Sequence, residues 1–196
     1  MKRTCYAVLF ALALPVALTA QQTPAAPVRD PITATFRGRT MTLQRNLAQA
    51  FDSIPARLYG YRPTPAQLTI GYIAQHLATD NYLFCNAFGA MKAQIAATDT
   101  TTADSVKAMW PKDTLVAKLN ASFAFCERAF AQLNDATLAE MTELRFNGNA
   151  RQVSRASMAL GHALDMADHY SQIANYMRLN NLIPPTALPR PARPGN

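Results

Sequence analysis

The sequence predicts an all-helical globular domain. Alanine, leucine and methionine are plentiful, whereas the strict apolar–polar alternation of half-buried strands is scarce. A length of 196 residues fits one domain with tails. The clearest helical pattern lies in residues 161–176, where polar side chains recur at a three-four spacing. They therefore share one helix face: His162, Asp165, His169, Gln172 and Tyr176.

This polar stripe lies where a bundle helix would ordinarily place leucines. Leu164, Met166 and Ile173 supply enough apolar surface around it to bury most of the helix. Burying imidazoles and a carboxylate costs free energy unless something binds them. A bound metal ion is the simplest explanation, so this helix is the first candidate for function.

The amino-terminal residues 1–20 have the pattern of a secretory signal peptide. Lys2 and Arg3 give a positive start, an apolar core follows, and Ala20 offers a small residue before the cleavage point. The apolar run is too short for a stable membrane span. We therefore expect a periplasmic or secreted protein without stable membrane insertion, in which residues 21–39 form a flexible, proline-containing leader.

The net charge of +7 does not indicate a nucleic-acid partner. Lys2 and Arg3 leave with the targeting segment, and the remaining basic residues are scattered without interleaved aromatic side chains. We expect an unidentified small-molecule ligand or substrate instead, and we allow for a homodimer.

The first two helices are bounded by threonine and proline. We expect the first to begin near Thr40 or Thr42 and to end near Ile54, before a proline. The second begins at Thr64 or Thr69. Its predicted inward positions again follow a three-four-three spacing and include the third histidine: Ile73, His76, Asp80 and Leu83.

A long connection separates the second helix from the third. Residues 91–112, with one short helix near 103–109, could cross the bundle and let the two helices run parallel. The third helix is predicted at 113–133, with inward positions Leu115, Leu119, Phe123, Cys126 and Phe130.

The last predicted helix spans residues 150–180. We expect the segment before it, 134–149, to be irregular, with Gly148 marking a turn. Asn181 and the following prolines end the helix, and residues 186–196 should form a disordered tail rich in proline and arginine.

Two cysteines remain once the signal peptide is removed. Cys85 and Cys126 lie in the second and third predicted helices. An even pair in an oxidising compartment favours a disulfide that joins these helices, and two buried free thiols are the alternative.

Several short segments together resemble the DinB-like family of metal-binding proteins. The resemblance extends from residue 43 to 185 and is greatest for the exported branch with two cysteines. Its segments are Tyr-Gly-Tyr-Arg-Pro-Thr-Pro at 59–65, Ala-Gln-His-Leu-Ala-Thr-Asp-Asn-Tyr at 74–82, Asp-His-Tyr-Ser-Gln at 168–172, Tyr-Met-Arg-Leu at 176–179 and Pro-Pro at 184–185.

The resemblance implies a four-helix bundle over residues 40–185, in up-down-down-up order with the long crossover between helices 2 and 3. It also implies a metal site with one histidine from the second helix and two from the fourth. His76 and His169 match the first and last of these positions, and Asp165 occupies the middle one.

Two histidines and one carboxylate suit a divalent ion, and zinc, nickel, iron and manganese all remain candidates. His162, one turn earlier, is a reserve ligand or a hydrogen-bond partner. The alternative is a bundle that has lost its metal.

Two functions follow from the resemblance. The first is a metal-dependent hydrolase or thiol transferase, with Asp168 and Tyr170 as candidate acid-base groups. The second is a non-catalytic periplasmic binding protein or stress-related scaffold with a decayed metal site.

Overall fold

The computed structural model describes residues 27–146 and 148–189, a part of the chain that is mainly helical. The predicted signal peptide, residues 21–26 of the leader and residues 190–196 of the tail lie outside it. The elements are helices α1 (Pro31–Ser53), α2 (Ile70–Gly89), α3 (Ala97–Thr101), α4 (Asp104–Lys107), α5 (Lys112–Phe130) and α6 (Arg155–Leu179), with strands β1 (Met141–Phe146) and β2 (Asn149–Ser154).

The predicted helical character is confirmed, and four of the helices are long. Of the two predicted starts for α2, Thr69 is the correct one, because its side chain accepts a hydrogen bond from the Tyr72 amide at 3.1 Å. The connection from α2 to α5 contains two short helices where we expected one. The predicted inward positions of α5 are all buried: Leu115, Leu119, Phe123, Cys126 and Phe130.

Helices α2 and α5 pack closely along one seam. The predicted disulfide between Cys85 and Cys126 is present, with the two Cα atoms 5.3 Å apart. One turn further on, a Cβ atom at Gly89 would lie only 2.4 Å from the Cβ of Ala129. The seam therefore needs glycine at position 89, because any larger residue would force the two helices apart next to the disulfide.

The predicted start of the first helix is wrong. Helix α1 begins at Pro31, so the described part of the supposed flexible leader is helical from that residue onward. The carboxylate of Asp135 accepts hydrogen bonds from the backbone amides of Ile32 at 3.1 Å and Thr33 at 2.8 Å. In return, Asp30 accepts one from the Asp135 amide at 3.1 Å. The residue that caps α1 is thus about a hundred positions away in sequence, where no local pattern shows it.

The expectation of an irregular segment at 134–149 is also wrong. Strands β1 and β2 form an antiparallel hairpin in which Met141 pairs with Ser154 and Phe146 pairs with Asn149. Gly148 in the connection has φ 77°, a left-handed conformation that suits glycine. Because the second strand occupies residues 149–154, α6 begins at Arg155 rather than at 150.

The carboxyl-terminal boundary needs a smaller correction. The predicted stop at Asn181 is present in a left-handed conformation with φ 59°. Beyond it, Pro185–Ala187 forms a 3-10 turn. The Tyr170 hydroxyl donates to Thr186 Oγ1 at 2.9 Å and accepts from the Thr186 amide at 3.1 Å. The first described residues of the supposed disordered tail are therefore bound to α6.

Within residues 27–146 and 148–189, none of the helices is both long enough and apolar enough to cross a bilayer.

Replacing Asp135 by alanine should loosen the start of α1, because two amides in its first turn lose their acceptor. We expect a lower melting temperature and faster hydrogen exchange at residues 32–36. Glu127→Gln, which changes an exposed carboxylate on α5, is the matched control. Unchanged exchange in Asp135→Ala would show that α1 does not depend on this cap.

Reducing the disulfide should destabilise the domain, because the unfolded chain gains conformational freedom when the link is removed. The cysteines are 41 positions apart, and closing a loop of that size contributes about 4 kcal/mol in the chain-entropy model. Urea unfolding with and without a reductant measures this difference in unfolding free energy. The variant Cys85→Ala/Cys126→Ala, which cannot respond to reductant, is the control.

Candidate metal centre

Helices α2 and α6 bring together the three residues that the sequence singled out as principal ligands. His76 comes from α2, and Asp165 and His169 come from α6. One ligand atom from each lies within 4.8 Å of the others. The rings of His76 and His169 meet edge to face with centroids 4.8 Å apart. The helix faces inferred from the three-four spacing thus meet at one place.

A second carboxylate joins this group. Asp80 Oδ2 lies 3.5 Å from His76 Nε2, and Asp165 Oδ1 lies 3.5 Å from His169 Nε2. Each helix therefore supplies one histidine and one aspartate at the i, i+4 spacing that places both on one face. Asp80 was predicted only as an inward position of α2, and its distance of four residues from His76 is the sequence signal for this pairing.

The residues fit a divalent metal ion. Asp165 Oδ2 and His169 Nδ1 are buried and have no hydrogen-bond partner. A buried polar atom without a partner costs free energy that a bound ion would recover. The 3.5 Å separation between His169 and Asp165 is too long for a strong hydrogen bond. Two imidazole nitrogens and a carboxylate oxygen are donors that zinc, iron, nickel and manganese accept.

The site has a buried side and an open side. The His169 side chain is 7% exposed, whereas that of His76 is 30% exposed. A ligand or a water molecule could therefore approach from the α2 side, where the ring of Tyr72 stacks on His76 at a centroid distance of 6.2 Å.

Tyr72 also forms part of the wall of a cavity of about 960 Å³. Other wall residues lie in the connection between α1 and α2 and around the start of α5, and they include Tyr59, Arg62, Trp110 and Asp113. This cavity is within the range of small-molecule sites in proteins, and its wall includes Tyr72 but none of the three candidate ligands.

The electrostatics of the site reflect burial opposed by close charges. Burial raises the pKa of Asp80, and nearby Asp165 raises it further, against the effect of His76. Burial alone would lower the pKa of His169, but the nearby Asp165 carboxylate, with a further contribution from Asp168, holds that pKa above its ordinary value. The two aspartates thus repel each other while each attracts a histidine, and a cation between them would relieve the repulsion.

The remaining predicted site residues are not part of this ligand set, although the charge of Asp168 acts on His169. Asp168 is exposed and accepts a hydrogen bond from Gln172 Nε2 at 2.7 Å. The hydroxyl of Tyr170 is engaged by Thr186. His162 is fully buried beside the disulfide, and its Nε2 is 2.8 Å from Asn81 Oδ1.

Residues 39–173 match the family model of the DinB superfamily. The chain belongs to the DinB superfamily. The matched region contains α2 and most of α6, with His76, Asp165 and His169. Among curated proteins, none matches this chain.

Solved structures of similar fold include DinB-like proteins. One from Bacillus cereus ATCC 10987 has a TM-score of 0.60 and 16% identity, and the match covers 78% of this chain and 95% of that one. One from Bacillus subtilis has a TM-score of 0.55 and 14% identity, with 75% and 92% covered. A mutant of the mycothiol-dependent maleylpyruvate isomerase has a TM-score of 0.57 and 10% identity, with 72% and 60% covered. At these identities the likeness establishes the fold alone.

The burial of His162 should make the domain less stable at mildly acidic pH. Burial lowers the pKa of His162 to about 4, against a smaller opposing effect of Asp165. Between about pH 6.5 and pH 4, His162 is protonated in the unfolded chain but stays neutral in the folded chain. The free energy of unfolding therefore falls as the pH is lowered through this range. For this one group the loss is about 3 kcal/mol.

His162→Gln tests this effect, because glutamine can still donate to Asn81 but does not titrate. Urea unfolding at pH 7 and pH 4 should show a smaller loss for His162→Gln than for the unmodified protein, by about that amount. Equal losses in the two proteins would contradict the prediction.

Proposed function

We propose that this chain binds one divalent metal ion through His76, Asp165 and His169 and uses it in a hydrolysis or thiol-transfer reaction on a small molecule. One observation carries the proposal. Three ligand-type side chains from two helices lie within 4.8 Å of one another, and two of their buried polar atoms have no partner. A packed protein interior rarely keeps such atoms without a ligand.

When bound, the ion would polarise a substrate oxygen or lower the pKa of a water molecule or thiol. The chain's own contribution is to position the donors. Asp80, 3.5 Å from His76 Nε2, would orient that imidazole, as acidic neighbours of metal-binding histidines commonly do. The partly exposed face of His76 leaves a side open for the substrate.

Of the two candidate acid-base groups, Asp168 is the better placed. Its carboxylate is exposed, and the hydrogen bond from Gln172 fixes one oxygen. The hydroxyl of Tyr170 both donates to and accepts from Thr186, an arrangement that suits an anchor for the chain after α6. We therefore assign proton transfer to Asp168 and a structural role to Tyr170.

We propose a small organic molecule as the substrate. The cavity behind Tyr72 offers volume for a small organic molecule, and its wall carries both Arg62 and Asp113. A solved neighbour of similar fold is, by its name, a mycothiol-dependent isomerase. That name supports testing a low-molecular-weight thiol as co-substrate together with hydrolysis.

We further propose an up-down-down-up bundle made of α1, α2, α5 and α6. Contacts between α2 and α5 rise together along both helices, from Asn81–Ser122 to Cys85–Cys126, as parallel helices require. Contacts between α2 and α6 run in opposite order, from His76–His169 to Asn81–His162. Both orders support the proposed arrangement.

The proposed location is the periplasm or the exterior of the cell. The amino-terminal pattern of a positive start followed by a short apolar core supports export. The disulfide between Cys85 and Cys126 is typical of proteins in oxidising compartments.

The metal-binding part of the proposal can be tested with untagged protein. His169→Ala removes a buried ligand and should abolish stoichiometric zinc binding in isothermal titration calorimetry. Asp165→His supplies a third imidazole and should retain or tighten zinc binding. Asp168→Asn, on the same helix but outside the ligand set, is the matched control and should bind zinc as the unmodified protein does while slowing any metal-dependent reaction.

Two results would contradict the proposal. One is equal zinc binding by His169→Ala and the unmodified protein. The other is the absence of zinc binding in both the unmodified protein and Asp165→His, which would favour a disulfide-linked scaffold without a metal.

A further inference from the structure

A second group of metal-binding side chains lies outside the proposed centre. Cys85, Cys126 and His162 come from three different helices, and all three are fully buried. His162 Nε2 lies 3.8 Å from Cys85 Sγ and 3.7 Å from Cys126 Sγ. We refer to these three residues as the cysteine–histidine cluster. In this structure Cys85 and Cys126 form a disulfide, so the two sulfur atoms of the cluster are bonded to each other.

The nitrogen-to-sulfur distances in this cluster match those of a coordination sphere. A tetrahedral zinc ion with sulfur at about 2.3 Å and nitrogen at about 2.0 Å holds the two donor atoms roughly 3.5 Å apart. The observed separations of 3.7 and 3.8 Å are close to that value. The two sulfur atoms would need to separate from their bonded distance to about 3.8 Å, the spacing of two thiolates on one tetrahedral zinc ion.

The surroundings of His162 favour a neutral complex. The rings of Phe84, Phe88 and Phe130 surround its imidazole at centroid distances of 5.9, 5.9 and 6.0 Å. An isolated charge in such a place is expensive, but two thiolates neutralise one divalent cation. Thiolate and imidazole donors also select zinc-class ions over magnesium or calcium.

An oxygen atom is available beside the cluster. Asn81 Oδ1 accepts a hydrogen bond from His162 Nε2 at 2.8 Å, and Asn81 is itself fixed by donating to Ser122 Oγ at 2.8 Å. The Nε2 nitrogen therefore carries the proton in the disulfide form, and Nδ1 is buried without a partner. When Nε2 becomes a ligand its proton moves to Nδ1, and Asn81 Oδ1 is left beside the fourth coordination position.

We propose that reduction of the Cys85–Cys126 disulfide opens a second metal site, in which Cys85, Cys126 and His162 bind a zinc-class ion. A dithiol supplies two electrons and two protons and is itself oxidised to a disulfide, while Cys85 and Cys126 become thiols. Binding of the cation then releases the two thiol protons. The same two sulfur atoms thus form either a covalent link between α2 and α5 or a metal-mediated link that includes α6.

Cobalt(II) is the probe that separates this site from the centre at His76. Cobalt bound to sulfur gives a thiolate-to-metal charge-transfer band in the near ultraviolet, which imidazole and carboxylate ligands do not give. The test uses His169→Ala, in which the other centre has lost a ligand, so failure of the proposed function and failure of this proposal are measured separately. The protein is reduced with a phosphine, because an added thiol would compete for the metal.

We expect reduced His169→Ala to bind one cobalt ion with this band and the oxidised protein to show no band. Adding Cys85→Ser and Cys126→Ser should remove the band. Adding His162→Phe, which keeps a ring among the phenylalanines, should weaken binding more than about tenfold, the lower limit for changes to residues that merely support a metal ligand.

Three outcomes would overturn the proposal. They are the absence of the band after complete reduction, equal metal binding by the oxidised and reduced proteins, and unchanged affinity in His162→Phe. If reduction alone unfolds the domain, far-ultraviolet circular dichroism decides the question. Cobalt or zinc must then restore the helical signal, and failure to restore it counts against the site.

Discussion

The packing of α2 between α5 and α6 is the constraint on which the rest of the structure depends. On one side the contact is so close that Gly89 has no room for a side chain next to Ala129. On the other side, a Cβ atom at Gly161 would lie 3.0 Å from the ring of Phe84. A helix held this closely on both sides cannot rotate to expose its polar groups. Asn81 is fully buried and therefore needs partners inside the protein, which are Ser122 on α5 and His162 on α6. His76, which is partly exposed, contacts Asp80 on its own helix and His169 on α6.

Helical spacing predicted which residues share a face, and the resemblance to the DinB-like family implied which of them form the ligand set. Asp165 and His169 are four residues apart on α6, and His76 and Asp80 repeat that spacing on α2. Whether a given face points into the core depends on the apolar residues next to it, which can also be read from the sequence. The parts of the fold that depend only on local periodicity, including the inward face of α5, were predictable for the same reason.

The parts that were not predicted depend on contacts between distant residues or on a turn. The start of α1 is fixed by Asp135 in another part of the chain. The hairpin has a local signal, the pair Asn147-Gly148, which favours a two-residue turn between strands but was interpreted only as a turn. His162 is three residues from Asp165, which on a helix means a rotation of roughly 60° and a rise of about 4.5 Å. That small difference directs its ring to the cysteines, which no single-helix pattern can reveal.

The division of polar groups along α2 and α6 has a chemical consequence. At one level, His76, Asp165 and His169 offer nitrogen and oxygen donors with a partly exposed side, a set that admits water and does not discriminate strongly among divalent ions. At the other level, His162 and the two cysteines are enclosed by phenylalanine rings and offer sulfur. While the disulfide is intact, Cys85 and Cys126 offer no thiolate to a metal ion. A thiophilic ion can then compete only for His76, Asp165 and His169. In the proposed scheme, the oxidation state of Cys85 and Cys126 therefore governs how metals are distributed between the two sites, although the cysteines contribute no ligand to the site at His76.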